Sequence, residues 1–167
     1  MELFDVLEKR HSVRAYKEKD VEEWKIKKIL NAAVIAPTAA NRQAFKIVVI
    51  KTKGRENELK KIYGSDWFSK APVVIGIFSV PGKAWTKSSG KNYGDVDAAI
   101  VMDHIILSAT DLGLGTCWIG AFNSDNAKKM LFPDEDAEPI AFTPIGYPAD
   151  TEFKKIRKDI NELVFYK

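Results

Sequence analysis

The stretch DVDAAIVMDHIILSATDLG, residues 95–113, decides the fold prediction for this chain. Its apolar residues recur over most of a helical circumference, which is typical of a helix enclosed by other elements. Asp95 stands near its start and Gly113 lies just past its end, as helix boundaries favour. The sequence therefore predicts a long, central, buried helix around which the other elements pack.

Shorter apolar patterns on both sides of this helix predict the remaining elements. Strands are predicted for FKIVVIK (45–51), PVVIGIFSV (72–80), GTCWIGAF (115–122) and EPIAFTPIGYP (138–148). Helices are predicted for ELFDVLEKR (2–10), residues 21–35 with Asp20 as cap, GRENELKKIYG (54–64) continuing toward Trp67, and SDNAKKMLF (124–132) with Ser124 as cap. This order predicts an α+β domain with a sheet of four or five strands.

Length, composition and charge limit the classes of protein. The chain has 167 residues, of which 46% are hydrophobic, and a net charge of +3 from 26 basic and 23 acidic residues. These values suit one globular domain over residues 1–167, and the small positive excess does not favour nucleic acid as a partner. One cysteine excludes an intrachain disulfide and suits a reducing compartment. With no apolar run of ~20 residues, we expect a soluble, cytoplasmic protein without a membrane partner.

The first basic cluster is KRHSVRAY, residues 9–16, which places Arg10 and Arg14 around Ser12. Guanidinium groups bind phosphate and carbonyl oxygens through fixed donor pairs, and a serine adds a hydroxyl donor. Taken alone, however, the cluster is more typical of a charged helix end in water.

A second basic cluster, KKIRK at residues 154–158, lies near the end of the chain. In an extended segment Lys155 and Arg157 would point the same way, because they are two residues apart. Alone, this cluster too is more typical of a solvated tail.

Two further segments combine polar or glycine residues with neighbouring apolar elements. In APTAANRQ, residues 36–43, the amides of Asn41 and Gln43 offer donor and acceptor together, which suits the edge of a heterocycle, although the segment is also an ordinary loop. In GLGTCWIGAF, residues 113–122, the glycine spacing is not that of a dinucleotide fingerprint. Gly120 would allow a flat ligand to approach the backbone, or would simply form a tight turn.

Several other chemistries find no support in the sequence. His11 and His104 are far apart, and no spacing of His, Cys and acidic residues indicates a metal site. Cys117 lies in an apolar strand with nothing that indicates a nucleophile. Neither a G-x-S-x-G motif nor a P-loop is present.

Each of these motifs is weak alone, but their combined order along the chain is specific for one protein family. RHSVR near the start, APTAANRQ after the second helix, the block at 95–122, and IGYPAD followed by KKIRKD near the end occur in this order. With these four blocks the chain resembles the nitroreductase family, the FMN-dependent flavoreductases, from about residue 4 to residue 163.

The resemblance implies a three-layer α+β sandwich, in which a central, mostly antiparallel sheet is flanked by helices. It also implies an intertwined homodimer with two FMN molecules in its interface. The apolar end LVFY, residues 163–166, suits such a dimer. It could dock on its own sheet or add to the sheet of a partner.

The resemblance further implies the cofactor-binding residues. Arg10 and Ser12, with Lys155 and Arg157, would bind the phosphate and ribityl end, and Arg14 would reach the pyrimidine edge near N1 and O2. The loop PTAAN, residues 37–41, would come from the other subunit and contact the flavin. A backbone N–H of Gly120 or Ala121 would point at N5. The full set is Arg10, His11, Ser12, Arg14, Pro37, Thr38, Ala39, Asn41, Ile119, Gly120, Ala121, Lys155 and Arg157.

By the same resemblance, NAD(P)H would give a hydride to flavin N5 and leave. A flat acceptor such as a nitroaromatic or a quinone would then take the electrons in a ping-pong sequence. The flavin carries the chemistry, so no side-chain acid or base is expected to be essential. Alternatives are dehalogenation, dehydrogenation or flavin-consuming chemistry on the same fold, or a non-enzymatic flavin-binding redox module.

The Gly-, Ser- and Lys-rich segment at residues 81–94 is the best candidate for a mobile loop or lid. Aromatic residues could line the acceptor pocket, although core packing is the commoner role for any one of them. The candidates are Trp67, Phe68, Trp85, Tyr93 and Trp118.

Overall fold

Three of the four predicted strands form close to the predicted positions, but the strand predicted for GTCWIGAF (115–122) is wrong beyond Gly115–Thr116, after which Ile119 makes only an isolated bridge to Phe142. The computed structural model describes residues 1–132, 135–150 and 153–167. The strands are β1 (Phe45–Lys51), β2 (Val73–Ser79), β3 (Gly115–Thr116) and β4 (Glu138–Gly146). They pair antiparallel in the order β1-β2-β4-β3. In the described part of the chain, β1 and β3 are the two sheet edges.

The helices fall near the predicted segments. They are α1 (Leu3–Lys9), α2 (Glu23–Val34), α3 (Glu56–Ile62), α4 (Asp66–Lys70), α5 (Gly94–Asp111) and α6 (Ser124–Leu131). Short 3₁₀ turns occupy Ala39–Asn41, Pro81–Lys83 and Ile160–Glu162. No helix within these ranges is both long and apolar enough to cross a bilayer.

The two faces of the sheet pack against different helices. Side chains alternate along a strand, so Ile75 and Ile77 of β2 face α2 and α5, while Val74 and Phe78 face α3, α4 and α6. Each face has its own hydrophobic cluster. This arrangement confirms the predicted three-layer α+β sandwich.

The central helix is α5, as predicted. Its buried side chains include Val101, Met102 and Ile105, which pack between α2 and the sheet. Gly113, with φ +74°, adopts the left-handed conformation that ends the helix. With 18 residues, α5 places its two ends about 26 Å apart.

Two predicted helix caps are wrong. The residue before α2 is Glu22, without a side-chain cap bond, and Asp20 lies too far upstream. For α6 the cap is Asn123, whose Oδ1 accepts the Asn126 N–H at 2.8 Å. An asparagine oxygen three residues before that N–H has the usual capping reach, so Ser124 becomes the first helical residue instead.

The helix predicted to run on toward Trp67 divides into two. After α3 the chain passes through Gly64 and an extended Ser65 before α4 begins. This break turns Phe68 fully into the core between the helices and the sheet. Phe68 is therefore a core residue and does not line an acceptor pocket.

Some apolar side chains of the predicted helices and of the chain end are exposed. In α1, Val6 is buried but Phe4 is 76% exposed, and Trp24 of α2 is also exposed. Residues 153–167 form an arm whose apolar end is open, with Tyr166 95% exposed. Helical periodicity predicts such helices but cannot distinguish a face that packs on the core from a face that is open.

The segment at residues 81–94 is exposed over most of its length but hydrogen-bonded at its base. Gly82 N–H donates to Asp136 Oδ2 at 3.1 Å, and Asn92 Nδ2 donates to the Pro81 carbonyl at 3.0 Å. Within it, Trp85 and Tyr93 stack edge to face. Its predicted mobility stays a prediction.

Candidate functional site

The first basic cluster lies along strand β3. Val13 N–H donates to the Thr116 carbonyl at 2.9 Å, and Ser12 forms a parallel bridge with Thr116. Val13 is buried against Gly115, so the alternation of an extended segment leaves Ser12 and Arg14 exposed on the opposite side. Backbone pairing therefore fixes the direction in which the polar side chains point.

The structure brings the two basic clusters together. They line one polar depression with a cavity volume of about 390 Å³. Its lining residues are Arg10, His11, Ser12, Arg14, Asp150, Phe153, Lys154, Lys155 and Arg157. The sequence did not predict Asp150, Phe153 and Lys154 as lining residues, although Asp150 ends IGYPAD and Lys154 begins KKIRKD.

His11 connects the N-terminal cluster to the C-terminal arm. Its ring stacks on Phe153 with centroids 3.8 Å apart and planes 7° apart, and its Nδ1 lies 2.9 Å from the Lys9 carbonyl. Its Nε2 is buried without a hydrogen-bond partner among the described residues. Buried polar atoms are normally hydrogen-bonded, so this nitrogen is an available contact for a ligand in the depression.

The depression is strongly cationic. Lys155 Nζ donates to the Leu7 carbonyl at 2.5 Å, so its charge has no carboxylate partner at that contact. Lost hydration, followed by the charges of Arg10 and Arg157, lowers the pKa of Lys155 below its ordinary value. Among the described residues, Asp150 is the one acidic side chain that lines it. Such a surplus of positive charge suits an anion with more than one negative charge.

Arg14 lies at the other side of the depression, near aromatic and sulfur groups. Its guanidinium carbon is 6.0 Å from the centroid of the Trp67 ring. Burial raises the pKa of the Cys117 thiol, while Arg14, a hydrogen bond from Ser12 and the Arg10 charge act to lower it. Cys117 is therefore a buried, neutral thiol close to the cationic residues, in agreement with the absence of nucleophile signals in the sequence.

The loop around Thr38 has an unusual backbone. Ala40, Asn41 and Gln43 have φ of 50°, 52° and 49°, a left-handed conformation that non-glycine residues adopt at a cost of about 1–3 kcal/mol each. Gln43 N–H donates to Thr38 Oγ1 at 3.1 Å, and Ala39 N–H donates to Asp97 Oδ1 at 2.9 Å. Strained backbone held by such bonds is concentrated at ligand-binding sites.

This loop and the cationic depression lie at diagonally opposite corners of the sheet. The loop enters β1 where Phe45 pairs with Ser79, and Ser79 pairs with Glu138, whereas β3 meets β4 at Gly146. From strand geometry, the corners are separated by about 26 Å along the strands and about 14 Å across them. One mononucleotide does not bridge that separation, so a single chain does not bring these two sets of predicted residues together.

The turn at residues 119–121 lies along the β3 edge of the sheet. The N–H and carbonyl of Ile119 both pair with Phe142, and its side chain is buried in the core. Gly120 and Ala121 are exposed, and the half-open Trp118 ring lies beside Gly120. Among these three predicted residues, Gly120 and Ala121 are therefore the ones with accessible backbone.

Within the described ranges, no group of three or more His, Cys, Asp or Glu residues could hold a metal ion. The fold and the depression together define an α+β sandwich protein with a candidate site for an anionic ligand. A sequence profile described as the Nitroreductase family matches residues 7–67 and 58–147. The chain belongs to the nitroreductase family, as the four sequence blocks predicted.

Individual relatives agree with this assignment. A nitroreductase family protein from Clostridium difficile 630 is 34% identical, with a TM-score of 0.89, and the match covers 100% of this chain and 99% of that one. A Methanothermobacter thermautotrophicus protein named NADH dehydrogenase/NAD(P)H nitroreductase is 26% identical over 90% of this chain and 79% of its own length. The fold is also shared, at 22% identity and a TM-score of 0.84, by a Desulfovibrio desulfuricans protein described as a nitroreductase in complex with FMN, with coverage of 100% and 97%.

Proposed function

We propose that this chain is an FMN-dependent NAD(P)H oxidoreductase that reduces a flat acceptor such as a nitroaromatic or a quinone. The observation that carries the proposal is the cationic depression, in which Arg10 and Arg14 lie with Lys155 and Arg157 from the other end of the chain. We expect the protein to act as one domain over residues 1–167 in the cytoplasm.

The depression suits the phosphate and ribityl end of FMN. The phosphate carries about two negative charges, and charge-assisted hydrogen bonds from Arg10, Lys155 and Arg157 would neutralise them. Ser12 offers a hydroxyl, and the unpartnered Nε2 of His11 offers one further polar contact. The donor set therefore fits the chemistry of the group.

The ring end of FMN would extend toward Arg14. The guanidinium of Arg14 would stabilise negative charge at the pyrimidine edge, and a backbone N–H of Gly120 or Ala121 would contact the N5 edge. When bound, FMN supplies the hydride chemistry. The protein contributes position and charge, and no side-chain acid or base is assigned to the reaction.

Two copies of the chain would complete each site. Because the loop lies too far from the cationic depression of its own chain, we infer that it contacts the flavin of a partner copy. The contacting residues are Pro37, Thr38, Ala39 and Asn41. The exposed apolar side chains of α1 and of the arm at residues 153–167 support such a homodimer, because they lack a partner in one chain. The exposed sheet edge at β1 is one place where the end of a partner's arm could add.

The test begins with the purified protein. We expect it to be yellow, to release FMN on denaturation, and to oxidise NADH or NADPH rapidly when a nitroaromatic or quinone is added. A colourless protein that takes up no FMN would overturn the proposal. Bound FMN without any NAD(P)H oxidation would overturn the reductase activity and favour another reaction on the same fold.

A further inference from the structure

Asp97 is a buried carboxylate that lies outside the proposed cofactor contacts. It occupies the first turn of α5 and is 1% exposed. Its Oδ1 accepts the Ala39 N–H at 2.9 Å, and its Oδ2 is buried without a hydrogen-bond partner among the described residues. The first turn of a helix favours an acidic residue, but burying a carboxylate oxygen without a hydrogen-bond partner is unfavourable, so the helix start alone does not account for this side chain.

The loop next to Asp97 has few other links to the rest of the domain. Within residues 37–43 its other hydrogen bonds to described residues are local: Asn41 N–H to the Thr38 carbonyl, Arg42 N–H to the Ala39 carbonyl, Gln43 N–H to Thr38 Oγ1, and Gln43 Nε2 to the carbonyl and Oδ1 of Asn41. These bonds shape the turn, and its ends are anchored by buried Ala36 and by Ala44, whose carbonyl accepts the Val80 N–H at 2.9 Å. The bond from Ala39 to Asp97 joins it to the central helix, 58 residues away in sequence.

We propose that Asp97 is a positioning residue for flavin binding: its Oδ1 fixes the loop at residues 37–41 in the left-handed conformation that meets the flavin of the partner copy. This inference rests on the proposed function, since it needs the loop to contact FMN. Asp97 acts through Ala39 and does not touch the cofactor. Its position at the rigid start of α5 allows the loop to be pre-organised before FMN arrives.

The acceptor oxygen, rather than the charge, carries this role. Asp97→Asn keeps an oxygen that can accept the Ala39 N–H, whereas Asp97→Ala removes it. Ala39→Pro removes the donor from the other side without altering the buried helix, and the extended Thr38 that precedes it tolerates a following proline. The two partners of one bond can thus be removed separately and together.

The experiment measures the FMN dissociation constant, the melting temperature of the apoprotein and the visible circular dichroism of bound flavin. We expect Asp97→Ala to raise the FMN dissociation constant at least tenfold and to change the flavin dichroism, with Asp97→Asn within threefold of wild type. Ala39→Pro should weaken FMN binding by a similar factor. The double variant should bind FMN no more weakly than the single variant with the lower affinity, because both changes remove the same bond. Thr52→Ala is the matched control, because it removes a buried side-chain hydrogen bond to the Ala71 carbonyl far from the loop. It should lower the melting temperature and leave FMN affinity within twofold.

Each other outcome has a definite meaning. The positioning role would be overturned if Asp97→Ala bound FMN with wild-type affinity, or if Asp97→Asn bound it as weakly as Asp97→Ala. It would also be overturned if the losses of FMN affinity in the two single variants multiplied in the double variant. If Asp97→Ala does not fold, Ala39→Pro decides, and unchanged FMN affinity in that variant overturns the inference. Failure of the wild-type protein to bind FMN would instead reject the proposed function, so the two failures are distinguishable.

Discussion

Val13 packs directly over Gly115: a Cβ built on Gly115 would lie 2.8 Å from Val13 Cγ2. This contact is closer than side-chain carbons tolerate, so only glycine lets the segment that carries Arg10 and Arg14 lie along β3. The neighbouring hydrogen bond from Val13 N–H to the Thr116 carbonyl holds the same register. The cationic depression therefore depends on a close approach made on the opposite side of the segment that carries Ser12 and Arg14.

Gly115→Ala should disturb this register. We expect the free energy of unfolding to fall by about 1–3 kcal/mol, as for other overpacked sites, and FMN binding to weaken. Urea unfolding and FMN titration measure the two effects, and Val13→Ala in the same chain should restore part of both. Gly64→Ala is the control, because no heavy atom lies within 4 Å of its added Cβ. Equal behaviour of Gly115→Ala and Gly64→Ala would contradict the role of this contact.

Arg10→Ala should weaken FMN binding by about 1.5–3 kcal/mol, the range for a hydrogen bond to a charged group. The reason is that one phosphate charge loses its partner in the depression. Calorimetric titration of the apoprotein measures the change. Arg55→Ala removes an arginine that pairs with Glu58 on α3, outside the depression, and should leave FMN affinity unchanged. Unaltered affinity in Arg10→Ala would assign the cluster a different role.

FMN affinity should fall as the pH rises through the lowered pKa of Lys155. Reduced hydration, Arg10 and Arg157 lower this pKa below 10.5, so the free protein loses the lysine charge earlier than an ordinary lysine would. A bound phosphate would favour the charged form, so binding in this range should take up a proton. Calorimetry in buffers of different ionisation enthalpy measures that proton.

The lowered pKa of Lys155 also makes the free energy of unfolding depend on pH. The folded pKa of Lys155 lies below the unfolded value, so the charged lysine opposes folding below the folded pKa. That opposition is lost as the pH rises from the folded to the unfolded value. Lys155→Arg stays charged throughout and should lose both pH dependences. Identical pH profiles for wild type and Lys155→Arg would show that another group is responsible.

The thiol of Cys117 should react slowly with iodoacetamide at neutral pH. Burial raises its pKa above the ordinary value of 9.0, so little thiolate is present. Arg14→Gln should shift the pH–rate profile of alkylation further upward, because the Arg14 charge acts to lower this pKa. A reaction midpoint at or below 9.0 in wild type would contradict the expected protonation state.

Removing residues 160–167 should prevent the proposed dimer. The deleted end includes Leu163, Phe165 and Tyr166, which are all exposed in the single chain. Sedimentation velocity should give a monomer, and FMN affinity should fall because the loop of the partner is lost from each site. Lys158→Ala and Lys167→Ala change exposed charges of the same arm without removing apolar area, and both should remain dimeric. A truncated chain that stays dimeric with full affinity would overturn the role of the arm.

Several elements of the fold follow from the local sequence pattern and could be predicted. The strand at residues 45–51 alternates and the strand at 72–80 is continuously apolar, and both appear within a residue of the predicted bounds. The predictions of Asp20 and Ser124 as helix caps were wrong because residue type alone does not locate the first helical residue. Only the packing of α2 and α6 decides where each helix starts.

In the candidate site, too, some residues could be predicted from the sequence and others depend on the tertiary structure. The sequence supplied Arg10, Ser12, Lys155 and Arg157 as an anion set, but each cluster alone was more typical of a solvated segment. His11 stacked on Phe153 has no local signal, because it joins residues from opposite ends of the chain. Asp97 likewise reads as an ordinary acidic residue at the start of a helix.

The sequence by itself determined most of the elements, the α+β class and the family, because these depend on periodicity, on turn residues and on the order of motifs along one chain. Only the tertiary structure decided that the two basic clusters share one depression while the loop at residues 37–41 lies at the opposite corner. The physical reason is that strand register and the length of α5 set distances between residues far apart in sequence. No local pattern encodes those distances.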